Sequence, residues 1–143
     1  MTPDPLATIR NGARVMTTRT VLLVEDDLDV RDTLQDLLES EGFDVIPAAN
    51  GKQAIDFLTL NDPPGADLVI LDLMMPMISG WEVLEVMTDD PRLADIPVIV
   101  LSAMSSDRPL RAQGFVHKPF ALETLVAAIR GALRDEDGTP AFN

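Results

Sequence analysis

Five short apolar runs, separated by stretches of helical periodicity, constrain this chain more than any other feature of its sequence. They are residues 21–24 (VLLV), 43–46 (FDVI), 68–71 (LVIL), 98–101 (VIVL) and 115–117 (FVH). Runs with so few polar interruptions suit strands buried on both faces, as in a parallel sheet. A parallel neighbour is reached only through a crossover of about ten residues or more, and the intervening patterns supply such crossovers. Val30, Leu34, Leu37 and Leu38 form one helical face, begun by acidic residues and stopped by Gly42. Asn50 caps a second pattern through Ala54, Phe57 and Leu58, which the NDPPG sequence at 61–65 breaks. Residues 80–87 form a third pattern, closed by Asp89, Asp90 and Pro91, and 122–133 a final amphipathic one. Strands alternating with helices in this way predict an α/β domain with a parallel sheet covered on both faces.

The 143 residues suit one domain, and 46% apolar with 24% charged residues is enough to bury a core. A formal charge of −13 opposes direct contact with nucleic acid or an anionic membrane surface. The absence of cysteine excludes disulfides, thiolate metal sites and a catalytic thiol. No apolar stretch reaches the roughly 18 residues of a membrane span, and residues 1–19 lack the pattern of a secretory signal. The expectation is a soluble, cytoplasmic protein with a flexible tail at 1–19, a folded domain at 20–134 and an acidic tail at 135–143. A weak helical face through Leu6, Ile9, Ala13 and Met16 is the alternative for the first segment.

Ligands of open α/β sheets bind at the carboxyl ends of the strands, near the point where strand order reverses. Glu25, Asp26 and Asp27 follow the first run, Asp72 the third, Ser102 the fourth and Lys118 the fifth. Each has an ordinary explanation alone. An acidic run after a strand is most often a helix cap complementing the dipole, and Asp27 is expected to serve as one. Together, several carboxylates, a hydroxyl and an ammonium on one sheet edge suit a hard divalent cation and a phosphoryl group. His117 has no second nitrogen ligand and reads as a surface strand residue. Trp81, Met74, Met75 and Met77 form either a partner surface or simple helix cover. No glycine-rich phosphate loop, nucleophile elbow or HExxH motif is present.

The sequences VLLVEDD at 21–27, LVILDLMMP at 68–76 with Gly80, VLSA at 100–103 and KPF at 118–120 resemble the receiver domain of two-component response regulators. The resemblance covers about residues 20–134. It implies a flavodoxin-like, doubly wound sheet of order 2-1-3-4-5. It also implies Asp72 as phosphoacceptor, Glu25 and Asp26 as the acidic pair that holds Mg²⁺ with Asp72, and Ser102 as switch hydroxyl. Lys118 would pair with the acceptor, Phe115 would be the switch aromatic, and the Lys118–Pro119 bond would be cis. The implied function is that of a stand-alone receiver taking a phosphoryl group from a histidine kinase or histidine phosphotransfer protein. It would then signal through a changed protein-binding surface or relay the phosphate. Competing readings are a haloacid-dehalogenase-like Mg²⁺ phosphohydrolase, whose usual second acid is replaced here by Met74, and a pseudo-receiver that needs no phosphorylation.

The segment from Ala103 to Gly114 departs from the family, being about six residues short. With Pro109 in its middle, at most two helical turns are expected, from Asp107 or Arg108 to Gln113, ended by Gly114. Since the family commonly uses this region for dimerisation, the shortening predicts a monomer.

Overall fold

The computed structural model describes residues 9–10, 13–14, 18–103, 109 and 111–134. In chain order its elements are β1 (Ile9–Arg10), β2 (Ala13–Arg14), β3 (Thr20–Val24), α1 (Leu28–Ser40), β4 (Asp44–Ala48), α2 (Gly51–Leu60) and β5 (Leu68–Asp72). They continue with α3 (Gly80–Asp89), β6 (Val98–Ser102), β7 (Gly114–His117) and α4 (Leu122–Arg134). Strands β3 to β7 form a parallel sheet in the order β4-β3-β5-β6-β7, which is 2-1-3-4-5 when only these five are counted.

Period-two alternation sorts the strand side chains between two layers. Leu22, Val24, Val69, Leu71, Val98 and Val100 face α2 and α3, packing with Ala54, Leu58, Val83, Leu84 and Met87. Val21, Leu23, Leu68, Ile70, Ile99 and Leu101 face the other way, against Leu34 and Leu38 of α1 and Leu125, Ile129 and Leu133 of α4. The central strands β5 and β6 are buried along their whole length, which is why their sequences show runs rather than alternation. Each such aliphatic side chain contributes about 1.5–3 kcal/mol of burial, and this double-sided core makes the sheet a rigid platform for its carboxyl edge.

Local signals set the helix ends. The Asp27 carboxylate accepts from the Val30 N–H and caps α1. Gly42, at φ 97°, takes the left-handed conformation just past the end of that helix. Asn50 caps α2. Ser79 and Glu82 close a reciprocal capping box on α3.

Two readings are corrected. The alternative helical face is not formed at its described positions: the short strands holding Ile9 and Ala13 pair antiparallel, Ile9 opposite Arg14 and Arg10 opposite Ala13, while Leu6 and Met16 lie outside the described residues. The helix expected to reach Gln113 is not formed at its described end. None of Arg111 to Gln113 is helical, and Gly114 opens β7 rather than ending a helix. Residues 104–108 and 110 lie outside the described residues, as does the tail at 135–143. The physical reason is that Gln113 is engaged by the sheet: its N–H donates to the Val98 carbonyl (2.9 Å), and the Val98 N–H donates to its Oε1 (2.7 Å). The Arg111 guanidinium donates to the carbonyls of Leu93 (3.1 Å) and Ile96 (2.7 Å). A polar latch onto the β5–β6 crossover thus holds the described end of this segment.

Candidate functional site

The strand order reverses between β3 and β5, because the chain leaves β3 for β4 on one side and returns to β5 on the other. The crevice outside their carboxyl ends is the expected ligand position, and the strands deliver the polar residues there. Glu25 follows β3 and is buried; Asp72 and Ser102 are the last residues of β5 and β6 and are buried too. Asp26 is exposed, and Lys118 follows β7, partly exposed.

Lys118 joins the two buried acids. Its Nζ donates to Glu25 Oε1 at 2.7 Å and to Asp72 Oδ2 at 3.1 Å. The remaining oxygens are also held: the Met74 N–H donates to Asp72 Oδ1 (2.9 Å) and the Asp27 N–H to Glu25 Oε2 (3.2 Å). The Lys118 N–H donates to the Ser102 carbonyl (2.8 Å), which continues the β6–β7 pairing one residue past the strand. The Lys118–Pro119 bond is cis, as the resemblance implied. Gly51 and Gly80 leave room for the loop after Asp72. A Cβ on Gly51 would lie 2.5 Å from the Ile78 carbonyl oxygen, and one on Gly80 would lie 2.7 Å from Leu73 Cα.

The electrostatics follow from burial. Loss of water pushes the Glu25 carboxyl up; the Lys118 bond opposes this, and the neighbouring Asp72 adds to it, carrying the group from 4.5 to about 7. Burial works against the Lys118 ammonium, but its bonds to Glu25 and Asp72 outweigh that and raise it above the ordinary lysine value. In the metal-free protein, then, folded Glu25 holds a proton that the unfolded chain releases at lower pH. Stability should rise as the pH falls from about 8 to about 5.5, with about 2 kcal/mol traceable to this group. Urea midpoints at both pH values check this: the difference should shrink in Glu25→Gln.

Ligand oxygens of Glu25, Asp26 and Asp72 all lie within 4.8 Å of one another. Mg²⁺ takes oxygen ligands at about 2.0–2.1 Å, so movement of these carboxylates toward one another would let them share one hard cation. Three carboxylates with no nitrogen or sulfur donor suit Mg²⁺ better than a softer metal.

The predicted residues are therefore brought together with one qualification: Phe115 is half-buried on β7 and packs against the α2–α3 side of the core. His117 is exposed on the edge strand, and Trp81 is 42% exposed on α3. Sequence reasoning missed Arg31, whose guanidinium donates to the Glu25 carbonyl at 2.9 Å. Its signal was a basic residue in the early part of an otherwise acidic helix, six positions after Glu25.

A doubly wound sheet with an acidic, lysine-bridged crevice at its switch point defines the class: an α/β domain with a polar site at the carboxyl edge of its sheet. Residues 21–130 match the response regulator receiver domain, and the chain belongs to that family. Its members are signalling domains rather than conventional enzymes. Similar proteins include the transcriptional regulatory protein CpxR of Escherichia coli, 39% identical over 120 residues, covering 80% of this chain and 49% of the relative. The probable transcriptional regulator ycf27 of Porphyridium aerugineum is 36% identical over 129 residues, covering 86% and 51%. The chain thus spans about half the length of the curated relatives it matches. Among solved structures, the chemotaxis protein CheY4 of Vibrio cholerae superposes with TM-score 0.72 at 26% identity, over 82% of this chain and all of the other. Response regulator TrrA of Thermotoga maritima, in complex with Mg²⁺ and BeF, gives 0.72 at 32% identity, over 81% and all of the other. No helix among the described residues is long and apolar enough to cross a membrane.

Proposed function

We propose that this domain accepts a phosphoryl group on Asp72 from a histidine kinase or histidine phosphotransfer protein, with Mg²⁺ held by Glu25, Asp26 and Asp72. The observation that carries this reading is the Asp72 carboxylate, which lies at the sheet's switch point, with Lys118 on one oxygen and the Met74 N–H on the other. The similar TrrA is solved in complex with Mg²⁺ and BeF, which supports a divalent cation as part of the reading.

An Asp72 oxygen attacks the phosphorus of a phosphohistidine as the P–N bond breaks, and the imidazole leaves with the bonding pair. Bound Mg²⁺ supplies neutralisation of the charge on the transferring oxygens. Lys118, already 3.1 Å from Asp72, moves its hydrogen bonds to the phosphoryl oxygens. Ser102 follows with its hydroxyl, and Phe115 turns into the space that Ser102 vacates. The altered surface around these residues is then read by a protein partner, or the phosphoryl group is passed on.

Incubation with acetyl phosphate tests the reading. With Mg²⁺, intact mass should show one added phosphoryl group; with a chelator it should show none. Equal labelling in both would remove the cation from the scheme, and no labelling under any condition would favour the pseudo-receiver.

A further expectation concerns lifetime. Met74 lies two residues past Asp72 and is 56% exposed, and Met104, two past Ser102, is likewise a thioether. Neither side chain orients a hydrolytic water well, so the acyl phosphate should be long-lived. Met74→Asn supplies a donor and acceptor at the mouth and should shorten the half-life several-fold in a phosphate-release assay.

A further inference from the structure

We propose that Arg31 is a positioning residue for the divalent-cation site, holding the backbone from which Asp26 projects. The inference rests on the reading of Glu25, Asp26 and Asp72 as that site.

Arg31 grips both ends of the acidic turn. Its guanidinium donates to the Glu25 carbonyl at 2.9 Å, and its backbone N–H donates to the Asp27 carbonyl at 2.9 Å. The rest of the turn is anchored around it. The Glu25 N–H donates to the Ala48 carbonyl (3.1 Å), the Glu25 carboxylate takes Lys118 and the Asp27 N–H, and the Asp27 carboxylate takes the Val30 N–H. Asp26 differs from its two neighbours: no hydrogen bond holds its exposed carboxylate among the described residues, whereas those of Glu25 and Asp27 are held, so its direction depends on the peptide planes that flank it. The plane between residues 25 and 26 contains the Glu25 carbonyl, and the guanidinium fixes that oxygen. Releasing it frees the plane to rotate and lets the Asp26 carboxylate drift from Glu25 and Asp72, whose ligand oxygens now lie within 4.8 Å of its own.

Charge alone predicts the opposite consequence. A guanidinium beside a divalent-cation site repels the cation, so removing it should tighten Mg²⁺ binding. If Arg31 acts by position, removing it should weaken binding despite the lost repulsion. The direction of the change separates the two accounts.

The test is calorimetric titration of Mg²⁺ into the full chain and two uncharged variants, with circular dichroism and melting temperature recorded for each. Arg31→Met keeps the aliphatic stem but cannot donate; Arg31→Gln is also uncharged and can still donate to a carbonyl. The expected result is about tenfold weaker Mg²⁺ binding in Arg31→Met, the low end of what losing an outer support costs a metal site. Arg31→Gln should bind more tightly than Arg31→Met. Acetyl phosphate labelling at saturating Mg²⁺ should reach the wild-type rate in both, because affinity and not the transfer step is changed. Binding by Arg31→Met as tight as wild type or tighter overturns the inference, as do equal affinities in the two variants. Absence of Mg²⁺ binding by the wild type overturns it together with the reading beneath it.

Discussion

Gly80→Ala should destabilise the protein by about 3 kcal/mol, at the upper end of what overpacking costs. The new methyl would lie 2.7 Å from Leu73 Cα and closer still to the Asp72 carbonyl oxygen. Both are backbone atoms, so no side-chain rotation relieves the clash. Either α3 moves away from the sheet or the end of β5 shifts, and Asp72 moves with it. Urea unfolding should show the loss, and phosphoryl labelling should fall even where the variant remains folded. The same substitution at Gly131 is the control. Nothing lies within 4 Å of its added methyl, and it sits inside α4. Alanine there should stabilise by about 0.5–1 kcal/mol, because glycine is the poorer helix former. A loss at Gly131 as large as that at Gly80 would contradict the steric argument.

Lys118→Met should have the second large effect, and on two quantities at once. It removes the ammonium between two buried carboxylates, Glu25 and Asp72. Breaking one side of such a buried arrangement costs about 3–5 kcal/mol when the remaining charges stay ionised. Glu25 offers an escape: with Lys118 gone, its already raised affinity for a proton rises further. The loss should therefore be largest near pH 8 and shrink as the pH falls toward 6, as urea midpoints at the two values would show. Labelling by acetyl phosphate should fall by about 10²-fold or more, the usual consequence of removing one preorganised donor to the transferring oxygens. A pH-independent loss would mean that Glu25 does not carry the strain.

The parts of this fold that were legible in the sequence are those whose cause is local. Strands β5 and β6 are buried on both faces, so each appears as an unbroken apolar run. The ends of α1 carry their own chemistry in Asp27 and Gly42. Because the strands could be placed, so could the residues just beyond them, and the structure gathers Glu25, Asp72, Ser102 and Lys118 on one edge. The illegible parts depend on contacts remote in sequence. Nothing near Arg111 or Gln113 signals that they will bind Leu93, Ile96 and Val98; a residue count and a proline suggested only a short helix. Ile9 and Ala13 share helical spacing, yet pairing with each other's neighbours overrides so weak a pattern. Arg31 was hidden because its partner is a backbone carbonyl, which every residue possesses and no sequence distinguishes.

The central claim, that Asp72 is the acceptor, is tested most directly by chemical mapping of the phosphorylated protein. An acyl phosphate on aspartate is reduced by borohydride to homoserine, which peptide mass spectrometry locates to a residue. After treatment with acetyl phosphate and Mg²⁺, homoserine should appear at position 72 alone, and Asp72→Asn should yield none. Homoserine at Asp26 or another acid in the wild type, or undiminished labelling of Asp72→Asn, would contradict the account.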